Sequence, residues 1–265
     1  MIPHDYHIHT TFSCDGKSSM WDMCQAAIAR SIPEIGFTDH FDLSPRESCR
    51  DWFKPEPWWS EIQSCRSRLD GQLSLRAGIE AGEPHLYPEE LRQTLATGEF
   101  DYVLGSLHFI GLQTIFDDTY FQDHPADEVF PLYFEELELM TRTGEFDILA
   151  HLDILARVAK PIYGDYVPRR YEACIRPVLH NCIERGIAIE VNAGALRKDA
   201  HILLPDLDIL RWYAEMGGER VTLGSDAHRS EQVGMDLEMA LDAVCQAGFK
   251  SLTFFKQRQA IQMPI

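Results

Sequence analysis

The sequence lacks long apolar runs and is short of positive charge. No apolar stretch approaches the roughly 20 residues that a membrane-spanning helix needs. The first residues, MIPHD, contain neither a basic nor an apolar segment, so we do not expect a signal peptide. The 24 lysines and arginines are outnumbered by 42 aspartates and glutamates. The resulting net charge of −18 disfavours binding to nucleic acid and to anionic membranes.

Cysteines are also few, and their spacing is not that of a disulfide framework. There are seven, an odd number, and no C-x-x-C pair occurs. This pattern favours reduced thiols and a cytoplasmic protein. The apolar fraction of 45% is enough for a substantial core, and the length suits one large domain. We therefore expect a single domain over residues 1–265, as a monomer or a small homo-oligomer.

Short apolar runs alternate with longer amphipathic stretches along the chain. The predicted strands are Tyr6–Ile8, Glu34–Thr38, Leu73–Ile79, Tyr102–Leu107, Asp147–Ala150, Ile187–Val191, Val221–Gly224 and Ser251–Phe255. The clearest predicted helices are Ser18–Arg30, Leu132–Thr143, Arg170–Arg185 and Val233–Ala247. This alternation predicts an α/β fold with a parallel sheet, and seven or eight units indicate a closed barrel. Such barrels carry their functional sites at the C-terminal ends of the strands.

One segment, Asp42–Ser60, fits neither pattern. It crowds four aromatic residues among prolines, namely Trp52, Phe53, Trp58 and Trp59. Exposed aromatic side chains in a loop would be costly, so the segment either packs over the mouth of the barrel or forms a lid.

Seven successive predicted strands end in histidine, aspartate or glutamate. His7 and His9 are two residues apart and point to the same side of a strand, and Asp226 and His228 repeat that spacing. The other candidate ligands are Asp15, His40, Glu80, His108 and His151. Nitrogen and oxygen ligands without thiolate suit zinc, manganese or iron, and nine candidates exceed the roughly four to six ligands of one ion. The sequence therefore predicts a cluster of two or three metal ions, with Asp39, Asp153 and Glu190 orienting the ligands.

The order of these motifs resembles that of the polymerase and histidinol phosphatase (PHP) superfamily of metal-dependent phosphoesterases. The shared motifs are H-x-H, TDH, GIE, GSLH, a lone histidine and SDAH. Stretches similar to the histidinol-phosphatase branch are GIEAGEP, FDYVLGSLHFI, YFEELELM, FDILAHLDILAR, VNAGALRK and SDAHRSEQVG. The resemblance covers nearly the whole chain, from residue 5 to about residue 235.

The resemblance implies a distorted (β/α)7 TIM-like barrel that holds three divalent metal ions. The implied ligand sets are His7, His9, Glu80 and Asp226 for the first ion, Glu80, His108 and His151 for the second, and Asp15, His40 and His228 for the third. Some members carry a histidine at the position of Asp15, so the identity of the metals, zinc, manganese or iron, stays open. A pattern of seven strands makes Ser251–Phe255 an accessory strand.

The implied activity is hydrolysis of a phosphate monoester, L-histidinol phosphate, to L-histidinol and inorganic phosphate. A hydroxide held between the metals would attack phosphorus, so that His7, His9, Glu80, Asp226 and His228 act through the metals. The expected phosphate ligands are Arg157, Arg197 and Ser230, although either arginine could instead form a surface salt bridge. Asp42 or a metal-bound water would protonate the leaving alkoxide.

Other functions are compatible with parts of this pattern. The motifs could serve another small phosphate ester, such as a nucleotide or a sugar phosphate. A metal-dependent amidohydrolase shares the H-x-H motif and an aspartate near the last strand, but Asp15, His40 and His228 favour three metals. A non-catalytic metal-binding module would be expected to lack at least one ligand, and all nine are present.

Overall fold

Strands and helices alternate along the chain in the computed structural model, which describes residues 2–122 and 124–265. The strands are β1 (Glu34–Phe37), β2 (His40–Phe41), β3 (Ser74–Ala77), β4 (Glu80–Gly82), β5 (Leu104–Ser106), β6 (Phe109–Ile110), β7 (Gln113–Thr114), β8 (Ile148–Leu149), β9 (Ala188–Asn192), β10 (Val221–Gly224), β11 (Ser251–Lys256) and β12 (Gln259–Pro264). The α-helices are α1 (Met20–Ala29), α2 (Pro55–Leu69), α3 (Pro88–Leu95), α4 (Ala126–Thr143), α5 (Leu155–Tyr163), α6 (Glu172–Arg185), α7 (Leu207–Glu215) and α8 (Leu237–Ala247). Within these described ranges, no helix combines the length and the apolar character needed to cross a membrane. Met1 and Asp123, which the predicted single domain includes, lie outside the described residues.

The parallel strands form a ring of seven positions. Parallel pairing connects β2, β4, β5, β8, β9 and β10 in that order, and β1 pairs with β3. Because β1 runs into β2 and β3 runs into β4, each of these pairs counts as one position. The seventh position is the segment 5–9, where Asp5 bridges to Ile35 of β1 and Ile8 bridges to Ala227 beyond β10. Isolated bridges therefore close the ring, in agreement with the predicted distorted barrel of seven strands.

The β11–β12 hairpin covers the N-terminal end of the ring. The two strands pair antiparallel with each other. Phe255 of β11 packs into a buried cluster with Tyr6 and Tyr102 at that end of the barrel. Arg258 in the turn forms an ion pair of 2.8 Å with Asp147, just before β8. The prediction that Ser251–Phe255 is an accessory strand is thus confirmed, and the opposite end of the ring is left for the functional site.

Helices α1 and α6 begin two residues after their predicted starts, and two others begin farther away. Helix α4 begins six residues before the predicted Leu132 and contains Pro131. A proline in a helix cannot donate a helical hydrogen bond, so the residues before it are poorly identified as helical from sequence. Helix α8 begins four residues after the predicted Val233. Gly234 and Asp236 have positive φ angles of 68° and 62°, which a right-handed helix does not allow.

The unassigned segment 42–60 divides into a loop and the first turns of α2. Trp58 in α2 is fully buried, with its ring centroid 5.6 Å from those of Phe53 and Phe100. The packing interpretation therefore applies from Phe53 onward. The loop before it contributes Glu47 and Cys49 to the rim of a cavity.

A disulfide between Cys14 and Cys49 contradicts the expectation of reduced thiols. It joins the loop after the first strand position to the loop of segment 42–60, and the Cα atoms lie 5.8 Å apart, within the range of disulfides. The two residues are 35 positions apart in the sequence, so the spacing of the cysteines does not predict that these two loops lie together. The remaining cysteines, which are free, are Cys24, Cys65, Cys174, Cys182 and Cys245. The cytoplasmic location stays a prediction.

Alkylation of the denatured protein tests this bond. Without reductant we expect five modified cysteines by mass spectrometry, and all seven after reduction. The Cys49→Ser variant, which releases Cys14, should give the same number with and without reductant. Seven modified cysteines in the unreduced wild-type protein would contradict the bond.

Candidate metal centre

The predicted ligands converge at the C-terminal end of the strand ring. A cavity of about 470 Å³ opens there. The predicted ligands that line it are Asp15, His40, Glu80, His108, His151, Asp226 and His228. His7 and His9 lie fully buried and in contact with Glu80. Parallel strands deliver their carboxyl ends to one edge, so residues far apart in sequence meet in one cluster.

Glu80 lies at the centre of this cluster. Its Oε2 is 3.3 Å from His7 Nε2 and 3.4 Å from His9 Nε2. Its Oε1 is 3.0 Å from His151 Nε2 and 3.5 Å from His108 Nε2. One buried carboxylate therefore presents a separate oxygen to each of two histidine pairs.

Two further carboxylates complete the grouping. Asp226 Oδ1 lies 3.4 Å from His9 Nε2 and 3.8 Å from His7 Nε2, beside the first histidine pair. Asp15 Oδ2 lies 2.9 Å from His228 Nε2 and 3.8 Å from His40 Nε2. The nine side chains thus fall into three adjoining groups that share Glu80 or stack ring against ring, as His9 does with His228.

These separations fit metal ligation. A tetrahedral ion with ligands at about 2.0–2.2 Å places its ligand atoms roughly 3.3–3.6 Å from one another. The distances from the Glu80 oxygens to the four histidine Nε2 atoms are 3.0–3.5 Å, so they overlap the lower end of this range. Glu80 Oε2 is buried and has no hydrogen-bond partner among the described residues. An unpaired buried carboxylate oxygen is costly, and a cation among these nitrogens would satisfy it.

In most of the candidate ligand histidines, Nδ1 contacts an oxygen acceptor. The Nδ1 of His40 has carboxylate oxygens at 3.0 and 3.1 Å, but outside hydrogen-bond geometry. Four other Nδ1 atoms do form a hydrogen bond with an oxygen. They are those of His7 to Glu190 Oε1 (2.6 Å), His9 to Ser13 Oγ (3.2 Å), His108 to Asp42 Oδ1 (3.3 Å) and His228 to the carbonyl of Asp226 (3.0 Å). An Nδ1–H that donates to such an acceptor leaves Nε2 unprotonated and turned toward the centre, as metal ligation requires.

Glu190 supports two of the histidines at once. Its Oε1 contacts His7, and its Oε2 accepts a hydrogen bond of 2.8 Å from the backbone N–H of His151. A Cβ at Gly224 would lie 2.0 Å from Glu190 Oε1, so the neighbouring strand needs a glycine there. The predicted orienting role of Glu190 is compatible with these contacts.

Asp39 and Asp153 differ in their relation to the cluster. Asp39 accepts hydrogen bonds from Ser13 Oγ (2.9 Å), which in turn contacts His9, and from Trp58 Nε1 (2.8 Å). Asp153 instead accepts from the backbone N–H of Asp206 at 3.0 Å. Among the described contacts, Asp153 touches none of the nine ligand candidates.

Backbone strain accompanies two of the ligand positions. His151 and Asp226 have positive φ angles of 23° and 54°. Non-glycine residues rarely adopt such conformations, which cost on the order of 1–3 kcal/mol and concentrate at functional sites. Hydrogen bonds from His151 N–H to Glu190 and from Arg197 to the Asp226 carbonyl hold the strained residues in place.

The metal-free cluster has strongly perturbed protonation. Burial, with the neighbouring His228 and His40, lowers the pKa of His9 to about 3. Burial also opposes the charged form of His40, but Glu80 and Asp42 outweigh it and raise the pKa of His40 to about 10. Histidines beside unneutralised carboxylates therefore hold protons that a metal ion would displace.

In the metal-free cluster Asp42 lies between two histidines that favour its ionised form. Burial would raise the pKa of its carboxyl, but His40 and His108 outweigh burial and lower that pKa. The carboxylate is therefore ionised at neutral pH and accepts hydrogen bonds.

The structure brings two of the three expected phosphate ligands to the cavity. Arg197 and Arg157 line it, and the Arg157 guanidinium lies 5.2 Å from the ring centroid of Phe116. Arg197 Nη2 donates to the carbonyl of Ser225 at 2.5 Å, while its buried Nη1 has no hydrogen-bond partner among the described residues. Ser230 is absent from the lining of the described cavity, and its backbone N–H donates to Ser18 Oγ.

Three basic residues of the cavity were missed in the sequence. Lys17, Lys198 and Arg229 also line it. Each follows a candidate residue by one or two positions, after Asp15, Arg197 and His228. Proximity to a motif in a loop after a strand was the signal that could have identified them.

Comparison with known proteins agrees with this architecture. The PHP domain model matches residues 5–194. A probable histidinol-phosphatase of Clostridium acetobutylicum is 31% identical over 257 residues, which are 96% of the chain and 97% of that relative. The histidinol-phosphatase of Lactococcus lactis is 26% identical over 95% of the chain and 93% of its own length.

A solved structure shows the same fold over almost the full length. It is the crystal structure of histidinol phosphate phosphatase from Lactococcus lactis, complexed with zinc, L-histidinol and phosphate. It matches with a TM-score of 0.88 and 23% identity, and covers 98% of each chain. Together with the domain match and the 31% identical relative, this establishes that the chain belongs to the PHP domain family.

Proposed function

We propose that the protein is a metal-dependent phosphomonoesterase that hydrolyses L-histidinol phosphate to L-histidinol and phosphate. The observation that carries the proposal is the cluster of nine candidate nitrogen and oxygen ligands, seven of which line one cavity together with two arginines, while His7 and His9 lie buried against Glu80. The relatives named as histidinol-phosphatases, which match along nearly the whole chain, support the choice of substrate.

The proposal assigns three divalent ions to the three ligand groups, with zinc, manganese and iron as the candidates. When bound, such ions lower the pKa of water to about 7 and offset the charge of a phosphate. His7, His9, Glu80 and Asp226 hold the first ion. Glu80, His108 and His151 hold the second, and Asp15, His40 and His228 hold the third. The distances of both Glu80 oxygens to separate histidine pairs support a bridging role for this residue.

In this proposal the arginines bind the phosphate oxygens. The guanidinium of Arg197 is fixed through Nη2, so Nη1 can donate to an oxygen without reorganising. Arg157 brings a second positive charge, supported against Phe116. Arg197 Nη1 also lies 3.9 Å from Asp236 Oδ2. Two positively charged side chains that line the cavity nevertheless suit an anionic phosphate ester better than the neutral amide of an amidohydrolase substrate.

Phosphate release from L-histidinol phosphate by the manganese-supplemented enzyme tests the proposed substrate. We expect a kcat/KM at least about 100-fold above that for nucleotide, sugar and other amino-acid phosphates. The His228→Ala variant, which removes a ligand of the proposed third ion, should lose at least about 100-fold in rate. Weak activity spread evenly over the panel would contradict histidinol phosphate as the substrate while keeping a metal phosphatase.

Substitution of Arg197 tests the proposed phosphate contact. We expect Arg197→Ala to lower kcat/KM by about 100- to 1,000-fold, because a preorganised donor to the transition state is lost. Arg197→Lys should recover only part of this, since lysine cannot be anchored through one nitrogen while donating through another. A suitable control is Arg169→Ala, which removes an exposed arginine paired with Asp208, far from the described cavity lining. Equal rates for Arg197→Ala and the control would contradict the contact.

A further inference from the structure

Asp42 lies between two histidines that belong to different ligand groups. Its Oδ1 is 3.3 Å from His108 Nδ1, and its Oδ2 is 3.1 Å from His40 Nδ1. The Nε2 atoms of the same rings face other carboxylates, at 3.5 Å from Glu80 for His108 and at 3.8 Å from Asp15 for His40. Each ring therefore turns one nitrogen to its own group and the other to Asp42.

One other acceptor competes for the His40 ring. Glu80 Oε2 lies 3.0 Å from His40 Nδ1. In the proposed centre this oxygen also faces His7 and His9 and serves the first ion. Asp42 Oδ2, at 3.1 Å, is then the carboxylate oxygen left to orient His40 Nδ1, although the two atoms are within ion-pair distance rather than in hydrogen-bond geometry.

The backbone of β4 is shaped around the Asp42 carboxylate. A Cβ at Gly82 would lie 2.1 Å from Asp42 Oδ1 and 3.2 Å from its Cγ. Any side chain at position 82 would therefore displace the carboxylate from the two imidazoles. Asp42 itself is buried, with 8% of its surface exposed, so its position is set by these neighbours rather than by solvent.

We propose that Asp42 is a positioning residue that couples the second and third metal positions by holding His108 and His40 through one carboxylate. The inference rests on the proposed three-metal function and deepens it. A carboxylate that accepts from Nδ1–H orients the ring and strengthens Nε2 as a ligand. Loss of Asp42 releases two rings at once, so both positions weaken together. The first position is spared because Glu190 and Ser13 hold its two histidines.

Zinc content at controlled free zinc, measured on the full-length protein, tests the coupling. We expect Asp42→Asn to need about 10- to 100-fold more free zinc than the wild type to retain its second and third equivalents, with the first unchanged. Asparagine is close in size to aspartate but offers a single acceptor oxygen. Gly82→Ala should show the same paired loss without removing any polar group. The control Glu89→Gln changes an exposed carboxylate of α3 that pairs with Arg92 and is not part of the described cavity lining, and should bind zinc as the wild type does.

Double variants identify the positions involved. In the His228→Ala background, Asp42→Asn should still weaken the zinc bound by His108. In the His151→Ala background, it should still weaken the zinc bound by His40. Loss of a single equivalent, or an unchanged affinity, would overturn the coupling, and so would equal weakening of all three with a lower melting temperature of the metal-free protein. A wild-type protein that binds three zinc ions but does not hydrolyse histidinol phosphate would overturn the proposed function and leave the coupling result valid.

Discussion

The structure depends on a carboxylate that is buried at the centre of the molecule. Glu80 is 1% exposed, and four histidine Nε2 atoms lie within 3.5 Å of its two oxygens. A lone ionised carboxylate in such surroundings would be strongly destabilising. Burial of this carboxylate is possible only because positive charge surrounds it. Protonated histidines would supply that charge without metal, and metal ions would supply it when they are bound. The pKa of Glu80 accordingly lies well below its usual range, since His40 and His7 outweigh the effect of burial.

The surrounding shell of acceptors follows from this arrangement. Imidazole rings packed around one carboxylate need their outer nitrogens satisfied as well, and buried oxygens from Glu190, Ser13 and Asp42 lie beside them. Glu190 comes from another strand than His7, and Asp42 from another strand than His108, whereas Ser13 follows His9 by four residues. Contacts within the cluster therefore connect different strand positions of the ring. The positions of the histidine rings depend on the fold around them as well as on the candidate ligands themselves.

The ring of strands and the nine ligand candidates could be predicted because each corresponds to a short sequence pattern. A histidine or carboxylate after a short apolar strand, as in SLHF or ILAH, is visible in a few letters of sequence. Some partners, such as Glu190, also follow a short apolar run, but others cannot be recognised from a few letters of sequence. The Cys14–Cys49 bond and the contact of Ser13 with His9 depend on how loops fold back. The room for Asp42 depends on a glycine 40 positions away in the sequence. Ser230 follows His228 by two positions but is not among the residues that line the described cavity, so its role as a phosphate ligand stays a prediction.

The net charge of −18 is compatible with an anionic substrate because charge acts locally. Three divalent ions held by Asp15, Glu80 and Asp226, with one bound hydroxide, would keep a charge of about +2 in the proposed centre. Arg157, Arg197 and three further basic residues line the same cavity. Asp42 and Glu47 also line the cavity, and carboxylates farther away are screened over roughly 8–10 Å at physiological ionic strength. A small phosphate ester that reaches the mouth therefore meets positive charge, while a long polyanion would also meet the repulsive surface around it.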